Sequence, residues 1–133
     1  MYLVDTNVWL ELLLEQERAM EVQQFLQSAE TIQLSMTEFA LYSIGLITTR
    51  LGKEEIFETF ISDILEDSAV KRICLTSFDL KRMLTVRKKF HLDFDDAYQY
   101  VAAKRDNLIL VSFDTDFDKT DIGRKTPAEI LSI

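Results

Sequence analysis

Four acidic side chains stand where an apolar run ends or a helix is about to begin, and a fifth lies close by. They are Asp5, Glu38, Asp96 and Asp114, with Asp116 two residues further along. Hard divalent cations prefer carboxylate oxygens, and Mg²⁺ typically keeps waters beside one or two of them. Such a cation polarises a phosphate oxygen and lowers the pKa of an attacking water. These residue types suggest a site for one or two Mg²⁺ or Mn²⁺ ions.

The first two acids also have purely structural interpretations. Asp5 follows an apolar run at residues 2–4 and could simply cap the next helix. Glu38 completes a Ser-x-x-Glu pattern with Ser35, which is typical of a capping box. However, Glu38 also precedes an apolar segment at residues 39–47. A carboxylate at the first turn of a buried helix needs a partner, and a cation would be one.

The later acids leave the same choice open. If Asp93 caps a helix, Asp95 and Asp96 lie in its first turn, where the helix dipole favours negative charge. Three carboxylates in four positions are more than capping requires, and the excess suggests a nearby cation. Asp114 follows the apolar run at residues 108–111, and turns also favour aspartate.

The elements between these acids indicate why they should meet. Strands are predicted at residues 2–4, 32–34, 72–75 and 108–111, and helices at 8–14, 17–27, 35–50, 53–66, 76–90 and 93–106 and from 126 onward. Capping boxes are expected at Thr76 and Thr126, and Asn107 can take the left-handed conformation that ends the 93–106 helix. Alternating strands and helices favour a parallel sheet covered on both faces. We expect a single domain over residues 1–133, a three-layer α/β/α sandwich with a central parallel sheet of four or five strands. Ligands of such sheets bind beyond the carboxyl ends of the strands.

Composition narrows the function classes. The chain has 133 residues, with 15 basic and 23 acidic side chains and a formal charge of −8, which argues against a simple nucleic-acid-binding module. Bound cations would offset that charge locally. A single cysteine, Cys74, cannot form an internal disulfide, and no targeting signal or membrane-length apolar run is present. We expect a cytoplasmic protein.

Several motifs together resemble the PIN-domain family, in particular the VapC-like toxins. The matching segments are Val4-Asp5-Thr6-Asn7, Thr37-Glu38, Asp95-Asp96-Ala97 with Ala102-Ala103, and the run from Leu110 to Phe117. The resemblance implies that Asp5, Glu38, Asp96 and Asp114 are the catalytic, metal-binding quartet, with Asp116 as a further ligand. Asp96 is preferred to Asp95 because the family's acid directly precedes the alanine.

The same resemblance implies roles for other residues and for partners. Thr6, Asn7 and Ser112 match positions that orient the acids. The expected activity is Mg²⁺- or Mn²⁺-dependent endonucleolytic cleavage of RNA by a homodimer that a protein antitoxin restrains. Separately from the resemblance, basic residues that could hold the RNA backbone are Arg50, Lys53, Arg87, Lys88, Lys89, Lys104 and Arg105, and the alternative for each is an ordinary solvated helix surface. Residues 87–89 lie nearest the Asp96 helix start, whereas we expect Trp9 and Tyr42 in the core and a structural role for His91.

Two other classes remain open from the sequence. A phosphoaspartyl protein, such as a haloacid-dehalogenase-like phosphatase or a receiver domain, also places an aspartate after its first strand. The phosphatase pattern requires a second aspartate two residues later, where this chain has Asn7. The other alternative is a catalytically silent PIN-like scaffold that binds a protein partner.

Overall fold

Four parallel strands form one sheet in the computed structural model, which describes residues 1–132. The strands are β1 (Tyr2–Val4), β2 (Leu34–Thr37), β3 (Lys71–Ile73) and β4 (Ile109–Val111). Their order across the sheet is β3-β2-β1-β4, so β1 lies between β2 and β4. Leu3 pairs with Ser35 on one side and with Leu110 on the other. The predicted parallel sheet is confirmed.

Seven α-helices surround the sheet within residues 1–132. They are α1 (Thr6–Leu13), α2 (Ala19–Ser28), α3 (Glu38–Arg50), α4 (Glu54–Phe60), α5 (Ser77–Phe90), α6 (Phe94–Arg105) and α7 (Pro127–Leu131). A π-helical segment, Ile61–Glu66, continues α4, and short 3₁₀ turns lie at Thr31–Gln33 and Thr115–Lys119. No helix in the described part of the chain is long and apolar enough to cross a membrane.

The core is split by the sheet into two apolar clusters. Leu3 and Leu110 belong to the cluster that includes side chains of α5 and α6. Val4 and Val111 belong to the other, which includes side chains of α1, α2 and α3. Successive strand residues point to opposite faces, so each short strand contributes to both layers. This arrangement is the three-layer α/β/α sandwich that the sequence predicted.

Caps at the helix ends were predicted with mixed success. Capping boxes at Thr76 and Thr126 are confirmed, as is the left-handed backbone of Asn107 (φ 53°). The capping box from Ser35 to Glu38 was wrong. Ser35 lies inside β2, and the hydroxyl of Thr37 instead accepts a hydrogen bond from the Ala40 N–H at 3.0 Å.

Trp9 and Tyr42, both predicted to be core residues, differ in the structure. Trp9 is buried in the apolar cluster that includes side chains of α1, α2 and α3, as expected. Tyr42 is 59% exposed on α3, so its core assignment was wrong. An amphipathic helix contributes one stripe of residues to the core. Leu41 and Ile44 belong to the buried stripe of α3, and Tyr42 lies outside it.

Candidate metal centre

Asp5 directly follows the central strand β1 and is held by donors on every side. Its Oδ1 accepts hydrogen bonds from the Thr6 N–H (2.8 Å) and Gln99 Nε2 (3.0 Å). Its Oδ2 accepts from the Ser112 hydroxyl (2.7 Å) and Asn7 Nδ2 (3.4 Å). Asp5 also occupies the N-cap position of α1, so the capping interpretation and the site interpretation describe the same side chain.

The polar residues around Asp5 extend the network to the next acid. Ser112 accepts hydrogen bonds through Oγ from Asn7 Nδ2 (3.2 Å) and from the Asp114 N–H (3.0 Å). Asn7 Oδ1 accepts from the Phe113 N–H at 3.2 Å. Asn7 and Ser112 thus orient Asp5 and the loop after β4. Thr6 contributes through its backbone N–H, whereas its hydroxyl takes no part in these bonds.

Gln99 is the residue that the sequence analysis missed. It is fully buried in α6, where Oε1 accepts from the Thr37 hydroxyl (2.7 Å) while Nε2 donates to Asp5. Its amide therefore joins the ends of β1 and β2. One signal was available: Gln99 lies three positions after Asp96 and is surrounded by small and apolar residues, so the two side chains share a buried helix face.

Asp96, Asp114 and Asp116 form the tightest acidic group in residues 1–132. One oxygen from each lies within 4.8 Å of the others. Asp93 caps α6 by accepting from the Asp96 N–H at 3.0 Å, which places Asp96 in the first helical turn as predicted. Asp114 in turn accepts from the Asp116 N–H at 2.9 Å. The Asp96 side chain is buried, and its Oδ2 has no hydrogen-bond partner.

Burial and crowding disfavour the ionised form of these acids. Burial, followed by the adjacent Asp114 carboxylate, raises the pKa of Asp96 from 3.8 to about 8. Burial also raises the pKa of Asp5, although hydrogen bonds from Ser112 and Gln99 oppose that rise. Burying a negative charge without a positive charge nearby is costly. These carboxylates therefore lack a positive charge that would balance them.

Glu38 lies at the start of α3 but is engaged differently from the other predicted acids. Its carboxylate forms an ion pair with Arg72 of β3, with 3.2 Å between Oε1 and Nε. Among the described residues it is not part of the three-carboxylate group of Asp96, Asp114 and Asp116. The structure thus brings Asp96, Asp114 and Asp116 together beside Asp5. It places the Glu38 carboxylate against the guanidinium of Arg72 instead.

The donor set matches a hard divalent cation. Three carboxylates in one small space supply oxygen ligands, and the unpartnered Asp96 Oδ2 is an acceptor with no protein donor to satisfy it. Mg²⁺ and Mn²⁺ favour such carboxylate oxygens, while thiolate and imidazole ligands select other metals. The residues present therefore fit the Mg²⁺ or Mn²⁺ ion that the resemblance implies.

The basic residues divide into engaged and free groups. Lys104 pairs with Asp121 and Arg105 with Asp79, each at 2.7 Å. Arg87 and Lys88 line a cleft with His91 and Asp93, and within residues 1–132 neither forms an ion pair. One residue that lines this cleft, Asp93, caps the helix that carries Asp96.

Comparison with known proteins agrees with the fold. The sequence model of the PIN domain family matches residues 2–123. No match was found among curated proteins. Solved structures with the same fold include a toxin–antitoxin complex from Klebsiella pneumoniae, at 20% identity and a TM-score of 0.74, covering 96% of this chain and 98% of that chain.

Two further structures extend the fold comparison. Mycobacterium tuberculosis VapC20, described as a sarcin–ricin loop cleaving toxin, is 16% identical with a TM-score of 0.77, covering 92% of this chain and 96% of that chain. FitAcB from Neisseria gonorrhoeae is 21% identical with a TM-score of 0.76, covering 96% and 99%. The family match spans most of the sequence and includes each predicted acid, so the chain belongs to the PIN-domain family, with the fold of VapC-like toxins.

Proposed function

We propose that this chain is a Mg²⁺- or Mn²⁺-dependent endoribonuclease and the toxin of a toxin–antitoxin pair. The observation that carries the proposal is the cluster of Asp96, Asp114 and Asp116 beside Asp5, with one buried carboxylate oxygen that no protein donor satisfies. A divalent cation bound there would polarise a phosphodiester oxygen and lower the pKa of the attacking water. Membership of the PIN-domain family supports the hydrolase class. The match gives no support to the phosphoaspartyl alternative.

The protein's own residues would divide the work. Asp5 is fixed by four donors, so it offers a ligand oxygen whose position does not depend on the cation. Asp96 and Asp114 are the facing acids, and Asp96 would release its proton on becoming a ligand. Asp116 is the most exposed of the group and lies where a solvent molecule or a phosphate oxygen can approach. Glu38 is the fourth proposed catalytic acid.

The cleft beside Asp93 is the proposed contact for the RNA backbone. Arg87 and Lys88 present cationic groups beside Asp93, the cap of the helix that carries Asp96. Phosphate contacts of this kind position a nucleic acid without reading its sequence. Neutralisation of phosphates by such residues would also give the binding a salt dependence. The net charge of −8 then opposes RNA binding elsewhere on the surface.

A separate groove suits a protein antitoxin. Its floor is apolar, formed by Trp9, Leu13, Phe60 and other side chains between α1, α2 and α4, and acidic Glu55 and Asp63 stand among its lining residues. A helix with an apolar stripe and basic flanks would match this surface. The Klebsiella pneumoniae structure is described as a toxin–antitoxin complex, which supports a partner of this class. The homodimer remains a prediction from the family resemblance.

A cleavage assay with labelled RNA tests the activity. Wild-type protein should cleave in Mg²⁺ or Mn²⁺ and stop in EDTA, while Asp5→Asn should lose most activity. Asp95→Asn is the matched control, because it removes one charge from the same helix start outside the cluster. Metal-independent cleavage, or full activity in Asp5→Asn, would refute the mechanism. A protein that neither binds Mn²⁺ nor cleaves RNA would instead be the silent, protein-binding scaffold.

A further inference from the structure

The Glu38–Arg72 pair joins a proposed catalytic acid to a cation outside the acidic cluster. The carboxylate and the guanidinium are 3.2 Å apart, and their side chains are 31% and 44% exposed. Arg72 is also 3.4 Å from the hydroxyl of Tyr42, which accepts a hydrogen bond from its Nη2. The unexpected exposure of Tyr42 thus places its hydroxyl where it supports the arginine.

The sheet register places Glu38 at the same edge as Asp5. Leu3 pairs with Ser35, so two residues further along Asp5 lies opposite Thr37. Neighbouring strands are about 4.8 Å apart, and Glu38 is the next residue after Thr37. The hydrogen bonds from Thr37 to Gln99 and from Gln99 to Asp5 fix this alignment. Glu38 therefore starts from backbone that is adjacent to the centre, while its side chain is held by Arg72.

We propose that Arg72 is a positioning residue that competes with the bound cation for the Glu38 carboxylate. The inference rests on the proposed function, because it assumes that the acidic cluster takes up a divalent cation. The Glu38 carboxylate can contact either the guanidinium of Arg72 or the divalent cation, both of which are positively charged. The arginine therefore lowers the affinity of the centre for the cation. When Glu38 turns to the centre, the guanidinium of Arg72 becomes free at the edge of the site.

The size of the competition follows from the exposure of the pair. Exposed ion pairs in proteins contribute modestly because water screens them. Removing Arg72 should therefore tighten the binding of Mn²⁺ by about two- to fivefold. A change of this size is measurable and leaves the fold intact, because nearly half of the arginine side chain is already in solvent.

A double-mutant cycle separates competition from a simple loss of positive charge. The dissociation constant of Mn²⁺ alone is measured by calorimetric titration for wild type, Arg72→Gln, Glu38→Gln and the double variant. We expect Arg72→Gln to bind Mn²⁺ about two- to fivefold more tightly than wild type, and we expect that gain to vanish in the Glu38→Gln background. A general electrostatic effect of the lost charge would persist in that background.

Lys71→Gln is the matched control, because Lys71 is the preceding residue of β3 and points to the opposite face. It should leave the dissociation constant unchanged. Equal affinity in wild type and Arg72→Gln, or a gain that survives in the double variant, would overturn the proposal. If the proposed function itself fails, wild type and Asp96→Asn will show the same Mn²⁺ titration. Failure of the arginine's role alone leaves Asp96-dependent binding in place.

Discussion

Replacing Asp96 by asparagine should stabilise the metal-free protein. The Asp96 carboxylate is buried, its Oδ2 has no donor, and the carboxylates of Asp114 and Asp116 stand within 4.8 Å. Asparagine keeps the shape of the side chain, removes one negative charge and supplies an amide N–H₂ that can donate to the neighbouring carboxylates. The substitution thus relieves repulsion in the empty centre and removes a proposed cation ligand.

The magnitude and its pH dependence follow from the environment of Asp96. A buried acceptor without a partner costs about 1–3 kcal/mol, and the open side of the cluster admits screening water, so we expect a gain of about 1–2 kcal/mol at pH 8. Burial and Asp114 raise the pKa of Asp96 from 3.8 to about 8. Between these values the folded wild type holds more protons than the unfolded chain, so its stability falls as pH rises. The advantage of Asp96→Asn should therefore grow from about pH 4 to about pH 8.

Thermal melts with EDTA and with Mn²⁺ measure both consequences. In EDTA the variant should melt about 3–8 °C above wild type at pH 8, given the usual unfolding entropy of a domain this size. Mn²⁺ should raise the melting temperature of wild type and have little effect on Asp96→Asn, because a ligand stabilises only the state that binds it. Asp95→Asn should keep the Mn²⁺ effect. An equal Mn²⁺ shift in Asp96→Asn, or a loss of stability in EDTA, would refute the reasoning.

Two further predictions concern residues outside the acidic cluster. Gln99→Leu should lower the free energy of unfolding, measured by urea titration, by about 1–3 kcal/mol, because Asp5 and Thr37 lose a shared hydrogen-bond partner. It should also reduce kcat for RNA cleavage. Unchanged stability would contradict this prediction. Asp121, whose pKa is lowered to about 2 by Lys104 and then Tyr100, contributes stability above about pH 4 that disappears as pH falls through about 2. The stability difference between wild type and Asp121→Asn should therefore narrow over that interval, and a difference that stayed constant would contradict the assignment.

Local chemistry predicted a large part of the fold. The apolar run before Asp5 and the run before Ser112 became the strands β1 and β4, because buried parallel strands need no polar alternation. Thr76, Asp93 and Thr126 cap the helices that follow them, since a side-chain oxygen there satisfies backbone N–H groups within a few residues. These signals act within one turn, so they can be read without knowledge of the tertiary structure.

Features that depend on distant pairing could not be predicted in this way. Ser35 offered a good capping box with Glu38, but pairing of β2 between β1 and β3 extended the strand to Thr37 and moved the cap. The partner of Glu38 is Arg72, which lies on another strand. Gln99 gains its role from Thr37 and Asp5, residues far away in the sequence. The position of each acid was predictable from its element, whereas its bonding partner was not.

Asp5 and Asp96 should respond in different ways to replacement by asparagine, although both are proposed metal ligands. Every group that contacts the Asp5 carboxylate is a donor: the Thr6 N–H, Gln99, Ser112 and Asn7. An amide nitrogen at this position would face those donors with no acceptor, so Asp5→Asn should lack the gain in apo stability expected for Asp96→Asn. Protein donors satisfy both oxygens of Asp5, whereas Oδ2 of Asp96 has no donor, so the proposed cation would chiefly satisfy Asp96. Melts of the two variants in EDTA would show this asymmetry, and an equal gain for both would mean that crowding of charge alone governs the centre.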